Sequence, residues 1–247
     1  MTQNAQKTWD ESFEEQIASF SYNTAPVEAL ARNVAYHLRA RYDVEDFRNL
    51  HFLEMGCGGG INLIWAAQRG IRVSGVDISP VALELARRNL IKAGYQDRLG
   101  DLLLGNVCAP PFSDNSFDGV LESCVFQHLN KEERPKTFNE IHRILKPGGA
   151  FFGHMIGTGC TVYQSQKNKC AQDDSGTLNL QEEGGSKYHL QNIGLAHFYE
   201  KSELISLLSA FTNVDVSEIR YELPQEEAQR RGYDNYVQSM WSVYAIK

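Results

Sequence analysis

Three glycines at alternate positions follow an acidic residue at the end of an apolar run, in the stretch Glu54–Gly60. Glycine has no Cβ, so Gly56, Gly58 and Gly60 permit positive φ angles and the close approach of another molecule. Such a loop lets the chain leave a strand, turn against a bound nucleoside and begin a helix beneath it. We therefore expect a ligand-binding loop here. The alternative is a glycine-rich turn without a ligand.

The spacing of the glycines distinguishes two kinds of cofactor. A dinucleotide-binding loop has the pattern Gly-x-Gly-x-x-Gly, and counted from Gly56 its third glycine would stand at position 61, which is Ile61. The pattern present is Glu-x-Gly-x-Gly-x-Gly. This difference disfavours an NAD-dependent oxidoreductase as the function.

An acidic residue stands directly after another predicted strand, where open α/β sheets bind their ligands. Asp77 ends the second predicted strand, and its carboxylate is able to accept hydrogen bonds from both hydroxyls of a ribose. The alternative role of Asp77 is to cap the next helix, but Ser79 fills that role better. We therefore expect Asp77 to hold the sugar of the ligand.

The elements that position these residues alternate along the chain. Hydrophobic periodicity predicts strands at 50–55, 71–77, 102–106, 117–123 and 150–156 and helices at 25–41, 61–68, 79–94 and 131–145. A further helix at 202–210 precedes strands at 213–221 and 240–247. Because strands that alternate with helices form parallel sheets with right-handed crossovers, the sequence predicts an α/β fold.

A single domain is expected over residues 1–247, because a chain of this length buries one substantial core. Its parts are a helical cap at 1–45, a cofactor-binding core at 50–156, an insertion at 157–199 and a C-terminal helix and strands at 200–247. The insertion is rich in Gly, Ser, Gln and Asn and far exceeds an ordinary connection of about six residues. We expect a lid on the substrate side; the alternative is a surface insertion without a role.

The bulk composition limits the function classes. The net charge is −7 with acidic and basic residues interspersed, which disfavours a nucleic-acid partner. The N-terminus lacks an apolar signal core, and no window reaches the roughly 18 apolar residues that span a bilayer, so we expect no membrane partner and a cytoplasmic location. The five cysteines form no Cys-x-x-Cys pair, and cysteines and histidines lack the close spacings of zinc sites, so neither a disulfide nor a metal is expected.

Several motif blocks together resemble those of the class I methyltransferases that use S-adenosylmethionine. In the order found in that family, they are Glu54–Gly60, Val76–Ser79, Pro111–Asp118 and Arg143–Gly149. The pattern is most similar to small-molecule methyltransferases of quinone and sterol biosynthesis. Residues 197–204 and 241–247 also resemble the last helix and the final strand of that group. The resemblance implies a Rossmann-like, seven-stranded, mostly parallel sheet with a final antiparallel strand and helices on both faces.

The resemblance also implies an activity, the transfer of a methyl group from S-adenosyl-L-methionine to an O, N or C atom of a small metabolite, with S-adenosyl-L-homocysteine as the product. The implied cofactor-binding residues are Tyr22, Glu54, Gly56, Cys57, Gly58, Asn62, Asp77, Ile78, Asn106, Val107, Glu122 and Ser123. Among them, Glu54 is implied at the amino group of the cofactor and Tyr22 at its carboxylate. Asn106 stands where similar enzymes have Asp, so we expect adenine to be held with altered detail.

His128 follows the fourth predicted strand, where the reacting sulfur is expected to face the acceptor. Its imidazole has two possible roles there, a general base for a hydroxyl acceptor or a purely positional role. Aromatic residues of the N-terminal segment are expected to fold over the cofactor, namely Trp9, Phe13, Phe20 and Tyr22. The alternative is that they only pack against the sheet.

Other functions stay open at this point. One is a catalytically silent protein that binds S-adenosylmethionine, and a less favoured one is the NAD-dependent oxidoreductase. The segment Ala109–Phe112 is similar to the loop of enzymes that methylate nucleobase amino groups, but Ala109 offers no acceptor to an amine and lies after the third strand rather than the fourth. A monomer and a homodimer are both compatible with the sequence.

Overall fold

The computed structural model describes residues 3–170, 173–180 and 194–247. The first two residues of the expected cap, and residues 171–172 and 181–193 of the expected lid, lie outside the described residues. None of the described helices combines the length and the apolar character needed to cross a lipid bilayer.

The described residues form helices and strands in alternation. The helices are α1 (Gln3–Ala18), α2 (Glu28–Arg41), α3 (Ile61–Ala67), α4 (Pro80–Lys92), α5 (Glu133–Ile144), α6 (Thr161–Gln166), α7 (Lys201–Leu207) and α8 (Gln225–Arg230). The strands are β1 (His51–Met55), β2 (Arg72–Asp77), β3 (Leu99–Leu104), β4 (Phe117–Ser123), β5 (Leu145–Ile156), β6 (Thr177–Asn179), β7 (Leu195–His197), β8 (Thr212–Glu222) and β9 (Val237–Ile246). Short 3₁₀ helices occur at Val44–Asn49, Phe126–His128 and Lys167–Lys169.

The main sheet has seven strands in the order β3-β2-β1-β4-β5-β9-β8. Strands β1 to β5 pair in parallel, and β9 runs antiparallel to both of its neighbours. The predicted seven-stranded, mostly parallel sheet with a final antiparallel strand is thus confirmed. The chain runs outward from β1 to β3 and then returns to β4, so the junction of β1 and β4 is the switch point at which such sheets bind ligands.

Helices cover both faces of the sheet, because successive strand residues point to opposite sides. On β1, Phe52 packs with α2, α3 and α4 in one buried core, and Leu53 packs with α5 and α7 in the other. On β5, Phe152 and Phe151 divide between the two cores in the same way. The prediction of helices on both faces is confirmed.

Several element boundaries differ from the sequence prediction, and two of the differences have a local structural cause. The helix predicted over 25–41 begins at Glu28, because the N–H of Val27 donates to Asn62 Oδ1 at 3.0 Å and Val27 is extended. This contact ties the start of α2 to α3. Strand β5 begins at Leu145, earlier than predicted, because the glycine-containing turn is an irregularity within its pairing with β4.

The insertion is more regular than its composition predicts. It contains α6, of six residues, and the antiparallel pair of β6 and β7, of three residues each. Arg134 of α5 anchors it through two hydrogen bonds to the Asp174 carboxylate, at 2.7 and 3.2 Å, and Arg134 also pairs with Glu203 of α7 at 3.3 Å. Elements this short show no periodicity, so the sequence did not predict them.

Candidate active site

A cavity of about 830 Å³ lies at the carboxyl ends of β1, β2 and β4. Its floor and walls include Glu54 and the loop 56–59 after β1, residues 77–78 at the end of β2, and residues 123–125 and 127–128 after β4. Helix α1 and the segment that follows it close the cavity on the other side. The sequence placed most of its candidate residues at these strand ends, and the strand order brings them together.

Position 56 requires glycine for two reasons. The φ angle of Gly56 is +76°, and a Cβ there would lie 2.4 Å from Val125 Cγ2. The N–H groups of Gly56 and Cys57 both donate to the carbonyl oxygen of Val76, at 2.7 and 3.1 Å. The loop is therefore tied to β2 and passes close to the segment after β4. Gly56 and Cys57 both line the cavity, and their contact with a cofactor stays a prediction.

Asp77 connects the glycine loop to the start of α4. Its Oδ2 accepts the N–H of Gly58 at 2.8 Å, and its Oδ1 accepts the N–H of Ser79 at 3.0 Å. The helix cap itself is Ser79, whose Oγ accepts the N–H of Ala82 at 3.1 Å. Burial raises the pKa of Asp77, and the backbone N–H donors oppose that shift. Asp77 and Ile78 both line the cavity, and since a carboxylate oxygen accepts more than one hydrogen bond, a ligand is able to share Asp77 with the backbone.

Glu54 is a buried carboxyl group with one oxygen unpaired. Asn62 Nδ2 donates to Glu54 Oε1 at 2.7 Å, whereas Glu54 Oε2 has no hydrogen-bond partner among the described residues. Burial raises the pKa of Glu54 to about 8, and the hydrogen bond from Asn62 opposes that shift. The nearby carboxyl groups of Asp77 and Glu122 raise the pKa of Glu54 further. Glu54 and Asn62 line the cavity, so the Glu54 carboxyl group is able to ionise beside a cationic ligand there and accept a hydrogen bond from it.

Glu122 differs from the prediction, because it is fully buried and does not belong to the cavity lining. Its Oε1 accepts the N–H groups of Val125 and Phe126, at 2.8 and 3.1 Å, and its Oε2 accepts the N–H of His154 at 3.2 Å. Burial raises the pKa of Glu122 to about 7. Glu122 therefore fixes the turn after β4, and the next residue, Ser123, lines the cavity.

Asn106 also differs from the prediction. Its Oδ1 accepts the N–H of Cys108 at 2.9 Å and closes the turn after β3, and Asn106 does not belong to the cavity lining. Gly105 and Val107 on either side do line the cavity. The predicted position of Val107 therefore fits a ligand, whereas the side-chain oxygen of Asn106 is engaged by the backbone.

Helix α1 supplies the aromatic cover. Trp9 and Phe13 line the cavity, and a Cβ at Gly58 would lie 3.3 Å from Phe13 Cζ. Tyr22, just beyond the helix, lines it as well. Phe20 does not, because its φ of +54° after the helix end turns the chain and leaves the side chain 86 % exposed. The expectation for Phe20 was wrong.

His128 is held through both ring nitrogens. Its Nδ1 lies 3.2 Å from the carbonyl oxygen of Leu195 in β7, which only accepts, so Nδ1 carries a hydrogen. Burial lowers the pKa of His128 to about 4, so the ring is neutral near pH 7 and Nε2 keeps a lone pair. That lone pair faces Gln127 Nε2 at 3.3 Å. The ring also meets Trp9 edge to face, with the centroids 5.3 Å apart.

Gln127 is a cavity residue that sequence reasoning missed. It is 2 % exposed and lines the cavity, and its Oε1 has no hydrogen-bond partner among the described residues. No motif marks this glutamine. The signal in the sequence is its position, after the fourth strand and next to His128.

Comparison with known proteins agrees with this arrangement of the strand ends. The family of methyltransferase domains matches residues 53–153, which contain the glycine loop, Asp77 and the segment after β4. This match covers 101 of the 247 residues of the chain. The methyltransferase resemblance noted in the sequence is thus confirmed for this segment.

Curated relatives match the same region. Demethylmenaquinone methyltransferase from Symbiobacterium thermophilum is 43 % identical over 124 residues, which cover 46 % of this chain and 48 % of the relative. 24-Methylenesterol C-methyltransferase 2 from Oryza sativa subsp. japonica is 35 % identical over 103 residues, which cover 41 % of this chain and 28 % of the relative. The chain therefore matches about half of the length of the first relative and less of the second.

The fold of the methyltransferase domain is also found among solved structures. The chain is similar to 1,6-didemethyltoxoflavin-N1-methyltransferase from Burkholderia thailandensis, solved with bound 1,6-didemethyltoxoflavin and S-adenosylhomocysteine. The TM-score is 0.60 at 19 % identity, over 98 % of this chain and 86 % of the other. At this identity the similarity establishes the fold.

Proposed function

We propose that the protein transfers the methyl group of S-adenosyl-L-methionine to a small-molecule acceptor and releases S-adenosyl-L-homocysteine. The observation that carries the proposal is the unpaired Oε2 of Glu54 inside the cavity. A buried carboxyl group whose pKa is raised to about 8 gains its charge when a cationic group binds beside it. The ammonium group of S-adenosylmethionine is such a cation.

The charges around the cavity favour this cofactor over NAD. The described lining contains the carboxyl groups of Glu15, Glu54 and Asp77 and no Lys or Arg. S-adenosylmethionine brings a sulfonium and an ammonium group, whereas NAD brings a pyrophosphate that no Lys or Arg of the described lining would neutralise. A Tyr-x-x-x-Lys pair, the pattern of some NAD-dependent oxidoreductases, does occur at Tyr163 and Lys167, but neither residue belongs to the described lining.

Different residues of the cavity are proposed to bind different parts of the cofactor. When bound, the cofactor supplies a methyl group that is open to in-line displacement. We propose that Asp77 and the glycine loop hold the ribose and that Ile78 and Val107 offer apolar surface to the base. Glu54 and Tyr22 are proposed to bind the amino-acid end. Trp9 and Phe13 of α1 exclude water, which strengthens the electrostatic contacts inside the cavity.

The acceptor side of the cavity lies between α1 and the segment after β4, and residues 157–199 are proposed to cover it. Support comes from β7, whose Leu195 carbonyl accepts the hydrogen bond from His128. A cytoplasmic location is proposed as well, because all five cysteines are free thiols in the structure, as is usual in a reducing compartment. A monomer or a homodimer is expected, and light scattering distinguishes the two.

We assign His128 a positional role, because its Nε2 lone pair already faces Gln127. A general base would give a rate profile with an inflection near pH 4, the lowered pKa of His128, that disappears in His128→Gln. A positioning His128 gives no inflection there. The same engagement of His128 favours, as a second candidate function, a protein that binds S-adenosylmethionine without catalysis.

The test combines binding and turnover. Calorimetry with S-adenosylhomocysteine and with NAD measures which cofactor binds, and methyl-labelled S-adenosylmethionine with a metabolite extract, read by mass spectrometry, identifies labelled products. We expect binding of S-adenosylhomocysteine and a labelled small molecule. Binding without any labelled product would favour the silent protein, and binding of NAD alone would overturn the proposal.

A further inference from the structure

We infer that Gln127 recognises the methyl acceptor, and that this acceptor presents an O–H or N–H group to Gln127 Oε1. The inference rests on the proposed methyl transfer and names the chemistry of the second substrate. It starts from the position of Gln127 in the segment after β4, within the cavity lining and beside His128.

The orientation of the Gln127 amide follows from its neighbours. The carbonyl oxygen of Leu195 only accepts, so His128 Nδ1 is the donor of that 3.2 Å contact. A neutral imidazole has one N–H, so His128 Nε2 must accept. The group that faces Nε2 at 3.3 Å is therefore the NH₂ of Gln127 and not its oxygen. The amide oxygen is thereby left pointing away from His128.

That oxygen is buried and has no partner among the described residues. Buried polar atoms are nearly always hydrogen-bonded, because burial removes water without replacing it, so an unpaired acceptor beside a cavity suits a ligand that donates a hydrogen bond. Three buried side-chain atoms of the described residues are unpaired, and two of them, Glu54 Oε2 and Gln127 Oε1, belong to residues that line the cavity. Gln127 Oε1 is an acceptor, and Glu54 Oε2 becomes one when the carboxyl group ionises beside a cation.

The two oxygens suit different groups. Glu54 is ionisable and lies at the end of β1, so it suits the cationic end of the cofactor. Gln127 is neutral and lies after β4, so its amide oxygen suits a neutral donor on the acceptor. A site that hydrogen-bonds a hydroxyl or amine strongly rejects an analogue that lacks the group, because the protein atom is then left unpaired. Gln127 is in this way a specificity-determining residue.

The surroundings of Gln127 add a second property of the acceptor. Around His128 the cavity is lined by largely apolar residues, Trp9, Cys124 and Val125. An acceptor that fits here has an apolar body and a hydrogen-bond donor. A purely hydrocarbon acceptor would leave Gln127 Oε1 without a partner.

The experiment compares Gln127→Met with Gln229→Met, since Gln229 is an exposed glutamine on α8, remote in sequence from the cavity segments. Wild type and variants receive methyl-labelled S-adenosylmethionine and a metabolite extract, and mass spectrometry identifies the labelled compound. We expect an acceptor with an O–H or N–H. For that acceptor, Gln127→Met lowers kcat/KM by about 100-fold or more, whereas Gln229→Met leaves it unchanged. The dissociation constant of S-adenosylhomocysteine stays the same in both variants.

Several outcomes would overturn the inference. They are an unchanged kcat/KM in Gln127→Met and labelling only of acceptors without an O–H or N–H. Equal losses of S-adenosylhomocysteine affinity and kcat/KM, or a strongly lowered Tm, would make Gln127 a cofactor-binding or structural residue instead. Failure of the proposed function is distinct, because the wild type then labels no compound, whether or not it binds S-adenosylhomocysteine.

Discussion

The backbone N–H of Gly58 donates to Asp77 Oδ2 at 2.8 Å, so the loop after β1 and the end of β2 form one connected unit. The other carboxylate oxygen of Asp77 accepts the N–H of Ser79 at the start of α4. One side chain therefore organises the backbone on two sides of the cavity and also faces into it. Removing its charge should affect ligand affinity more than a typical surface substitution.

Asp77→Asn should weaken S-adenosylhomocysteine binding by roughly 10- to 100-fold, because an amide has one acceptor oxygen where the carboxylate has two, and hydrogen bonds to a charged group are the stronger kind. Isothermal calorimetry measures the dissociation constant. Asp101→Asn is the matched control, since Asp101 is exposed on β3. Equal affinities for the Asp77 variant and the wild type would show that Asp77 serves the loop alone.

Glu54→Gln should remove a pH dependence. Burial raises the pKa of Glu54 from 4.5 to about 8, so without ligand the folded protein keeps a proton that the unfolded chain releases. The contribution of Glu54 to the free energy of unfolding is therefore fully present below pH 4.5 and is lost as the pH rises towards 8. Denaturant titrations across this window should give a smaller decrease with pH in Glu54→Gln than in the wild type.

The raised pKa of Glu54 also predicts that a proton is released when S-adenosylhomocysteine binds. A cationic amino group favours the ionised carboxylate, so S-adenosylhomocysteine should displace the proton of Glu54 at pH 7. Calorimetry in buffers of different ionisation enthalpy counts that proton. Glu54→Gln should bind S-adenosylhomocysteine more weakly and release fewer protons. If the variant released as many protons as the wild type, another group would be responsible for the release.

Phe13→Ala should weaken S-adenosylhomocysteine binding by roughly tenfold, because it removes an aromatic cover from the cavity and admits water. Phe20→Ala is a matched control on the same segment, since Phe20 is 86 % exposed and should leave affinity unchanged. A loss of Tm without a loss of affinity in Phe13→Ala would mean that α1 only packs against the sheet.

Gly56→Ala should cost roughly 2–5 kcal/mol of stability, from the positive φ and from the overlap of the new Cβ with Val125. Gly94→Ala separates the two causes, because Gly94 has φ +83° but nothing within 4 Å of its added Cβ. We expect it to cost only about 1–2 kcal/mol. Chemical denaturation measures both, and equal costs would mean that Val125 moves aside freely.

The fold was predictable because its signals are local and repeated. In the core, each strand is followed by a turn residue or a helix cap. The glycines of the loop after β1 by themselves indicate its backbone conformation. The roles of acidic and amide residues were less predictable. Glu122 and Asn106 have the residue types expected at a ligand site, but their oxygens accept backbone N–H groups instead.

The role of Gln127 could not be predicted from the sequence for a different reason. Its unpaired oxygen results from the tautomer of His128, and that tautomer is fixed by a carbonyl of Leu195, far along the chain. A network that joins residues so distant in sequence leaves no pattern in the neighbouring amino acids. The same holds for the anchoring of the insertion by Arg134, whose partners are Asp174, which precedes β6, and Glu203 in α7.

The contact between β7 and His128 uses the main-chain oxygen of Leu195, while the Leu195 side chain is 44 % exposed. Any amino acid supplies the same carbonyl, so random mutagenesis at this position should preserve the anchor. Laboratory evolution could therefore diversify the outer residues of this strand, in search of new catalysts, without disturbing the imidazole that they help to orient.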